Sequence, residues 1–483
     1  MESSIASPPV SPSRTIGEAL DEAPLSLFHL KAAVTSAMGF FTDAYDLFII
    51  GVAVTLIAKE WSLSPLQTSF LSSATLIATL VGAVVFGRLA DLLGRKRVYG
   101  LVAAIMALGA LATSLAPSYA WLVAFRIILG LGIGGDYPVS AVLASEYANR
   151  KGRGQLVSLV FSSQAAGLLI GPVVALALLA SGVNHDLVWR VMLGLGALPA
   201  MSVIYLRSRM PESPRYAAAV QGREAEARAA IEKYSHGTVK VAKSGTARVS
   251  ASFRAFISRP RNLVLILGTA GSWFLLDYMY YGNTISLPVI LKAVAPGDNL
   301  LQYTAWTLMI FAVFAVPGYV LAFLRIDRVG HRRLQWIGFL GMTVCFALIG
   351  LIPGLITTVT PFLVLFGVSY FFTEFGPNVT TFVIPTEVFG VAERTTGHGI
   401  AAGFGKLGAF LGVLLFPLVK TAIGLGGIMV FCAAVGVAGA ALTMVLPEPS
   451  GKSLETISVE AAQTEAAQTE AAQSEALVAE PAA

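Results

Sequence analysis

Gly87-Arg-Leu-Ala-Asp91-Leu-Leu-Gly94-Arg95-Lys96-Arg97 is a short polar stretch between two long apolar runs. A second version stands further along, Leu324-Arg-Ile-Asp327-Arg-Val-Gly330-His331-Arg332-Arg333. Each has an aspartate, two spacers, a glycine and then a basic cluster. Twelve runs long and apolar enough to cross a bilayer surround them, near 33–58, 68–90, 97–115, 119–146, 155–180, 188–207, 262–290, 302–324, 334–353, 362–388, 397–420 and 424–446. The two polar stretches follow run 2 and run 8, the same place in each set of six. Backbone polar groups in lipid need internal partners, so only helices or closed barrels span it, and the alternation of barrel strands is missing. The reading is an all-α membrane protein of twelve transmembrane helices in two six-helix pseudo-repeat halves.

Other positions repeat with the same period. Gly135-Asp136-Tyr137-Pro138 is followed by Glu146, Arg153 and Gln164, and Gly376-Pro377-Asn378 by Glu387, Arg394 and Lys406. Asp136 to Gln164 is 28 residues, and so is Asn378 to Lys406. A weaker echo sets Phe40-Phe41-Thr42-Asp43 of helix 1 against Trp273 to Asp277 of helix 7. Two halves related by an internal repeat, with a site at mid-membrane between them, describe a secondary transporter.

Composition agrees. Of 483 residues, 55% are hydrophobic and 13% charged, with mean hydropathy +0.73. A soluble domain carries roughly 25% charged residues. A soluble enzyme, a disordered chain, a collagen and a nucleic-acid binder are therefore excluded, although the net charge is +5. Cys345 and Cys432 lie in apolar runs, and neither a disulfide framework nor Cys/His metal spacing is present. The polar first 27 residues and the long first apolar run do not read as a cleavable signal. Of the 33 Lys and Arg, 27 fall on one side of the twelve runs and four (Lys59, Arg190, Lys292, Lys420) on the other. The positive-inside rule then puts both termini in the cytoplasm of a plasma or inner membrane. The chain divides into a cytoplasmic tail 1–30, a half 31–207, a cytoplasmic central loop 208–261, a half 262–446 and an acidic, low-complexity tail 447–483. From Arg207 to Arg261 there are twelve basic and four acidic residues, whereas the tail from Pro447 holds seven Glu and one Lys.

A charged side chain at the bilayer centre costs at least about 2.5–3.5 kcal/mol. Asp43, Asp46, Arg126, Asp136, Asp277, Glu374 and Lys406 all lie deep in the runs. They must line a cavity or pair with one another. Asp43 and Asp46, at i and i+3, share a helix face, and repulsion would leave one of them holding a proton. Asp136 follows a Gly-Gly pair that permits bending and close approach. The plainer reading is that these acids pair with Arg126 as buttresses, and Arg126 either does that or tunes Asp136. Trp273, Asp277 and Tyr281, at i, i+4 and i+8, offer an indole N–H, a carboxyl and a phenol on one face. Tyr137, Gln164 and Asn378 add donors, and Lys406 adds a cation. An oxyanion that keeps an O–H needs many donors, one cation and one acceptor for that O–H, and this set supplies them. Tyr278 and Tyr280 read as core or interface aromatics. Glu146 near Arg153, and Glu387 near Arg394, read as ion pairs or gate latches. So do Asp91 with Arg95 to Arg97, and Asp327 with Arg332 and Arg333.

The polar motif 87–97 resembles the signature of the major facilitator superfamily, and Arg126-x3-Gly130-x-Gly132-x-Gly134 resembles its helix-4 pattern. Four further stretches are similar to the phosphate:proton symporter family. They are Gly39-Phe40-Phe41-Thr42-Asp43-Ala44-Tyr45-Asp46, Gly134-Gly135-Asp136-Tyr137-Pro138 with Ser140 and Ser145-Glu146, Phe375 to Phe382 through Glu387, and Gly405-Lys406-Leu407-Gly408. The resemblance covers all twelve runs and omits both tails. It implies proton coupling at Asp43, Asp46 and Asp136, and phosphate binding at Trp273, Asp277, Tyr281 and the matched donors. Glu374, and the run Gly282-Asn-Thr-Ile-Ser-Leu-Pro288, depart from the family. Gly451-Lys452-Ser453 lacks the upstream glycine and strand of a phosphate-binding loop. The expected function is proton-coupled phosphate uptake by a monomer, without cofactor or metal. Symport of another organic anion, aromatic or carboxylic, and a phosphate-sensing receptor without flux are the alternatives. No nucleophile–base pair suggests an enzyme.

Overall fold

The computed structural model describes residues 15–24, 26–234 and 252–455. The repeat from Glu460 onward and most of the N-terminal segment lie outside the described residues. Ten helices follow the first ten apolar runs: α1 Leu27–Glu60, α2 Pro65–Leu93, α3 Arg95–Ser114, α4 Tyr119–Tyr147, α5 Arg153–Ala180, α6 His185–Arg209, α7 Pro260–Ile285, α8 Leu300–Val329, α9 His331–Leu351 and α10 Val359–Val388. Next comes one continuous helical stretch of 50 residues, Arg394–Thr443. At about 1.5 Å per residue it is more than twice the hydrocarbon thickness. Gly424 breaks it with φ 68°, ψ 177°, a left-handed backbone that glycine adopts without penalty. The break makes two crossings, α11 (394–423) and α12 (425–443), and twelve in all. Among the described residues there is no strand.

Two boundaries differ from expectation. The first helix starts at Leu27, where Ser26 N–H donates to His29 Nδ1 at 2.9 Å and closes the first turn. The seventh ends at Ile285, and a separate short helix Leu287–Val294 follows, because Pro288 has no N–H to continue the ladder. The central loop is not merely polar. It contains helices Pro214–Ala219, Glu224–Tyr234 and Phe253–Ser258. The first two bury Ala217, Ala218, Ala227 and Ile231 against Ile16, Ala19 and Leu20 of an N-terminal helix, Ile16–Glu22.

The repeated motifs fold into repeated corners at the end of the bundle that carries the described termini. Gly94 (φ 102°, ψ 146°) turns α2 into α3, and Gly330 (φ 94°, ψ 142°) turns α8 into α9. Each motif aspartate caps a helix of the opposite half. Asp91 Oδ2 accepts from the Thr396 amide at 2.6 Å in the first turn of α11, and Asp327 Oδ2 from the Gln155 amide at 2.9 Å in the first turn of α5. A carboxylate there satisfies a free N–H and faces the positive end of the helix dipole. The outer corners are capped alike. Glu212 accepts from Lys96 N (3.4 Å), and Glu448 from His331 N (2.9 Å) and Arg332 N (3.0 Å).

The latch partners are exchanged relative to the sequence reading. Glu146 meets Arg394 (3.1 Å) and Arg95 (3.4 Å), not Arg153. Glu387 faces His331 Nδ1 at 4.0 Å, not Arg394, and Arg153 binds Asp21 at 2.7 Å. Arg95 pairs with Asp91 at 3.0 Å and donates to the Val391 carbonyl at 2.8 Å. Asp327 holds His331 at 3.3 Å, not Arg332 or Arg333. The exchange arises because α4 ends against the start of α11, so that its glutamate reaches across the two halves. Beneath this network, Arg215 joins Asp21 (2.6 Å) and Glu455, tying both termini to the central loop. Burial opposes the Glu455 charge, but Arg215 outweighs it and holds the carboxyl down to about 2. A depressed carboxyl contributes above its ordinary range near 4.3 and is lost only as acid approaches the lower value. This clamp is therefore complete at neutral pH.

Inside the first half, Asp136 of α4 is held by two guanidinium N–H groups of Arg207 from α6, one of them at 3.1 Å, and by Ser140 Oγ at 2.8 Å. Arg207 also lies over the Tyr99 ring at 4.4 Å. A Cβ at Gly39 of α1 would strike the Asp136 carboxylate, so glycine is needed there. Arg207, counted with the central loop from sequence, is fully buried. Asp136→Ala should cost about 3–5 kcal/mol in denaturant unfolding, because it strands a buried cation. Asp136→Ala with Arg207→Met should recover most of that loss, and strict additivity would contradict the pair. Where α2 crosses α11, a Cβ at Gly87 would lie 2.8 Å from the Thr395 carbonyl. Gly87→Val should lower the melting temperature in detergent, by about 1–3 kcal/mol of overpacking.

Candidate functional site

Midway along the bundle, polar side chains from both halves meet in one buried chain. Asp43 of α1 accepts from the Tyr137 hydroxyl at 2.5 Å and from Gln164 Nε2 at 3.0 Å. Gln164 Oε1 accepts from the Tyr319 hydroxyl of α8 at 2.9 Å, which crosses from one half to the other. The Tyr319 oxygen accepts from Asn378 Nδ2 at 2.8 Å, and Asn378 Nδ2 also donates to Glu374 Oε2 at 2.5 Å. Beside this chain Lys406 Nζ donates to Asp277 Oδ2 at 3.2 Å and to the Tyr281 hydroxyl. Its ammonium lies 4.6 Å from the Tyr137 ring centre and 4.1 Å from that of Tyr281. Trp273 stands 5.9 Å from the Tyr137 ring.

Local backbone explains why these residues converge. α7 and α11 approach closely at glycines: a Cβ at Gly408 or Gly412 would strike α7 carbonyls, and one at Gly405 the Trp273 indole. That brings Lys406 onto the Asp277 face. α10 is interrupted at Gly376 (φ −115°, ψ −105°) and restarts with Pro377, which lacks an N–H and suits a first turn. The interruption sets Glu374 and Asn378 side by side. α8 contains a π-helical turn, Phe311–Ala315, just before Tyr319, a feature frequent at functional sites.

All the binding residues expected from sequence thus lie in this cluster, and each is at most 4% exposed. The expected acids separate. Asp46 turns from Asp43 to Arg126, with bonds of 3.0 and 2.9 Å, and Asp136 goes to Arg207. Arg126 therefore does not reach Asp136. Glu374, which departs from the family, is buried within the cluster. Tyr280, read as a core or interface aromatic, is buried 5.5 Å from the Tyr281 ring. Sequence reading missed Tyr319 and Arg207 as site and support. It also missed Glu212 and Glu448, which a spacing could have found: each lies 121 residues after its motif aspartate, Asp91 or Asp327.

The arrangement is a donor-rich pocket closed on itself. Asp277 Oδ2 occupies the cation that an incoming anion would need, and Asp277 Oδ1 is buried without a partner. The adjoining cavity, lined by Asp43, Asp46, Thr75, Arg126, Tyr281 and Ile285, measures only about 10 Å³. That is room for roughly one water. One helical turn toward the latches, Phe161 and Phe382 stack at 4.4 Å, and Phe40 lies 4.9 Å from Phe382. This aromatic plug separates the cluster from the ionic corners. At the far end, the halves meet through apolar contacts such as Phe48–Phe311 at 6.1 Å, and among the described residues no ion pair joins them there. Among the described residues no group of three or more His, Cys, Asp or Glu could hold a metal ion.

A profile of the sugar (and other) transporter family matches residues 31–461. A probable inorganic phosphate transporter 1-6 of Arabidopsis thaliana is 35% identical, over 92% of this chain and 96% of its own. Inorganic phosphate transporter 1-6 of Oryza sativa subsp. japonica is also 35% identical, over 92% and 95%. Among solved structures, the major facilitator proton:xylose symporter XylE bound to 6-bromo-6-deoxy-D-glucose superposes with a TM-score of 0.76, covering 90% of this chain and 99% of that one at 19% identity. A two-half bundle of twelve crossings, mirrored corner motifs and whole-length relatives lead to one conclusion: the chain belongs to the sugar (and other) transporter family.

Proposed function

We propose that the protein imports inorganic phosphate together with protons, by alternating access, as a monomer in the cell membrane. The observation that carries this is Lys406 held between Asp277 and Tyr281 among neutral donors from both halves. A tetrahedral oxyanion can replace the Asp277 carboxylate on the ammonium. It would then draw on the Tyr137 and Gln164 donors from the first half, and on those of Trp273, Tyr281 and Asn378 from the second. Asp277, released, accepts the phosphate O–H, a contact that fully ionised anions cannot make. The whole-length relatives named inorganic phosphate transporters support that choice of anion. The basic end, with most of the Lys and Arg, is the cytoplasmic one, and both termini are cytoplasmic.

The contacts between the halves set the order of events. Ionic corners and the aromatic plug hold the cytoplasmic end, whereas among the described residues no ion pair joins the halves at the outer end, so the outer end parts first. Phosphate and protons enter, the outer end closes over them, and the corners at Glu146–Arg394 and Asp91–Thr396 then open. Asp43 carries a proton, since among the described residues it forms no ion pair and accepts only from Tyr137 and Gln164. Asp46 and Asp136 act through their arginines: protonating either would free Arg126 or Arg207 and loosen α4 against α1 or α6.

Purified protein in proteoliposomes should accumulate labelled phosphate only under an inward proton gradient, and equal accumulation with the gradient collapsed would contradict the coupling. Asp277→Asn should reduce phosphate uptake at least about a hundredfold, the scale of losing a charged contact of about 3 kcal/mol. Uptake at the unmodified rate would remove Asp277 from the site.

A further inference from the structure

Five carboxyls are buried in the middle of this bundle, and three are matched by cations: Asp46 by Arg126, Asp136 by Arg207 and Asp277 by Lys406. Among the described residues the other two, Asp43 and Glu374, form no ion pair. They are also the two ends of one hydrogen-bond chain, Asp43–Gln164–Tyr319–Asn378–Glu374, that crosses between the halves.

We propose that Glu374 is a second proton-carrying carboxyl of the transport cycle, placed in the C-terminal half and linked to Asp43 through Gln164, Tyr319 and Asn378. The proposal rests on the reading of the protein as a proton-coupled phosphate carrier and adds a proton site to it.

The geometry gives three reasons. Glu374 is fully buried, and the groups facing it are neutral or acidic: Asn378 on its own helix, Tyr319 of α8, Tyr280 and Asp277 of α7, and Tyr370 one turn back on α10. A carboxylate without a cation in such a place carries its charge at high cost, and a carboxyl that gains and loses a proton is a recurrent use of such a residue in transporters. Second, its Oε1 is buried and accepts no hydrogen bond, so one oxygen is free to take the proton. Third, Asn378 Nδ2 serves both Glu374 and the proposed phosphate pocket. When phosphate draws an Asn378 N–H to itself, Glu374 loses that donor at the moment a second anion arrives. A proton from the outer water then settles on Glu374 Oε1. When phosphate leaves to the cytoplasm, Asn378 returns to the carboxylate and the proton follows the phosphate out. Phosphate binding and protonation are thereby joined through one amide.

The test is the static-head accumulation of phosphate in proteoliposomes, with the membrane potential clamped at zero and a pH difference of about one unit imposed. At static head the ratio depends on the number of coupled protons and not on the rate, so a merely structural defect does not move it. Loss of one coupled proton lowers accumulation about tenfold at that gradient. Glu374→Gln should show this tenfold fall, and Glu374→Asp, which keeps a titrating carboxyl, should match the unmodified protein. An unchanged ratio in Glu374→Gln overturns the proposal. If unmodified protein shows no gradient-driven accumulation at all, the carrier reading fails first, and the two failures are told apart in one experiment. Should Glu374→Gln transport too slowly to reach static head, calorimetry of phosphate binding in buffers of different ionisation heat replaces it. One proton fewer taken up per phosphate supports the proposal, and an equal number overturns it.

Discussion

Charge cannot sit alone in hydrocarbon, and the arrangement of this protein follows from that constraint. Each deep arginine or lysine finds a carboxylate on another helix, and each such pair fixes a contact between helices far apart in sequence. Asp136 and Arg207 join α4 to α6, Asp46 and Arg126 join α1 to α4, and Lys406 and Asp277 join α11 to α7. The same constraint makes the pairs responsive. Removing or protonating one partner leaves the other expensive, so in the proposed cycle an arriving anion or proton would change which helices are held together.

The second organising element is the duplicated corner. Asp91 and Asp327 each end a helix of their own half, turn at a glycine of positive φ and cap a helix of the other half. Glu212 and Glu448 brace those turns from the stretches that follow α6 and α12. A repeated sequence thus becomes a pair of equivalent hinged joints at one end of the molecule. The Asp21–Arg215–Glu455 clamp adds the termini and the central loop to the same end. The opposite end is held by apolar contacts such as Phe48 with Phe311, and among the described residues it has no such lock.

The fold was legible because a bilayer imposes length and polarity on every crossing. The motif repeats then located the halves, and helical spacing put Trp273, Asp277 and Tyr281 on one face. Pairing was legible only in part. Asp43 and Asp46 are one turn apart, which suggests a shared proton, and the plainer reading set Arg126 against these acids; Arg126, from 80 residues away, takes Asp46 alone. Arg207 looked like the first residue of a basic loop, but the helix continues past it and buries it. The Glu146 and Glu387 partners followed neighbouring numbers in the sequence, whereas the fold gives Glu146 a partner from the other half, Arg394, and Glu387 one from its own half, His331. Tyr319 and Glu374 carried no motif, and only the break at Gly376 and the π turn in α8 bring them to Asn378 and Gln164. Periodicity reports which residues share a helix face. Cross-helix partners depend on rotation and tilt, which a single sequence does not record.

In the proposed cycle, phosphate and protons move in a single event at the Lys406 cluster. The most direct measurement is external pH, followed with an electrode after phosphate is added to proteoliposomes that start with no gradient. The expected result is prompt alkalinisation of the medium as protons enter with phosphate, abolished by a protonophore and absent when sulfate is added instead. Phosphate entry with no change in external pH would contradict it.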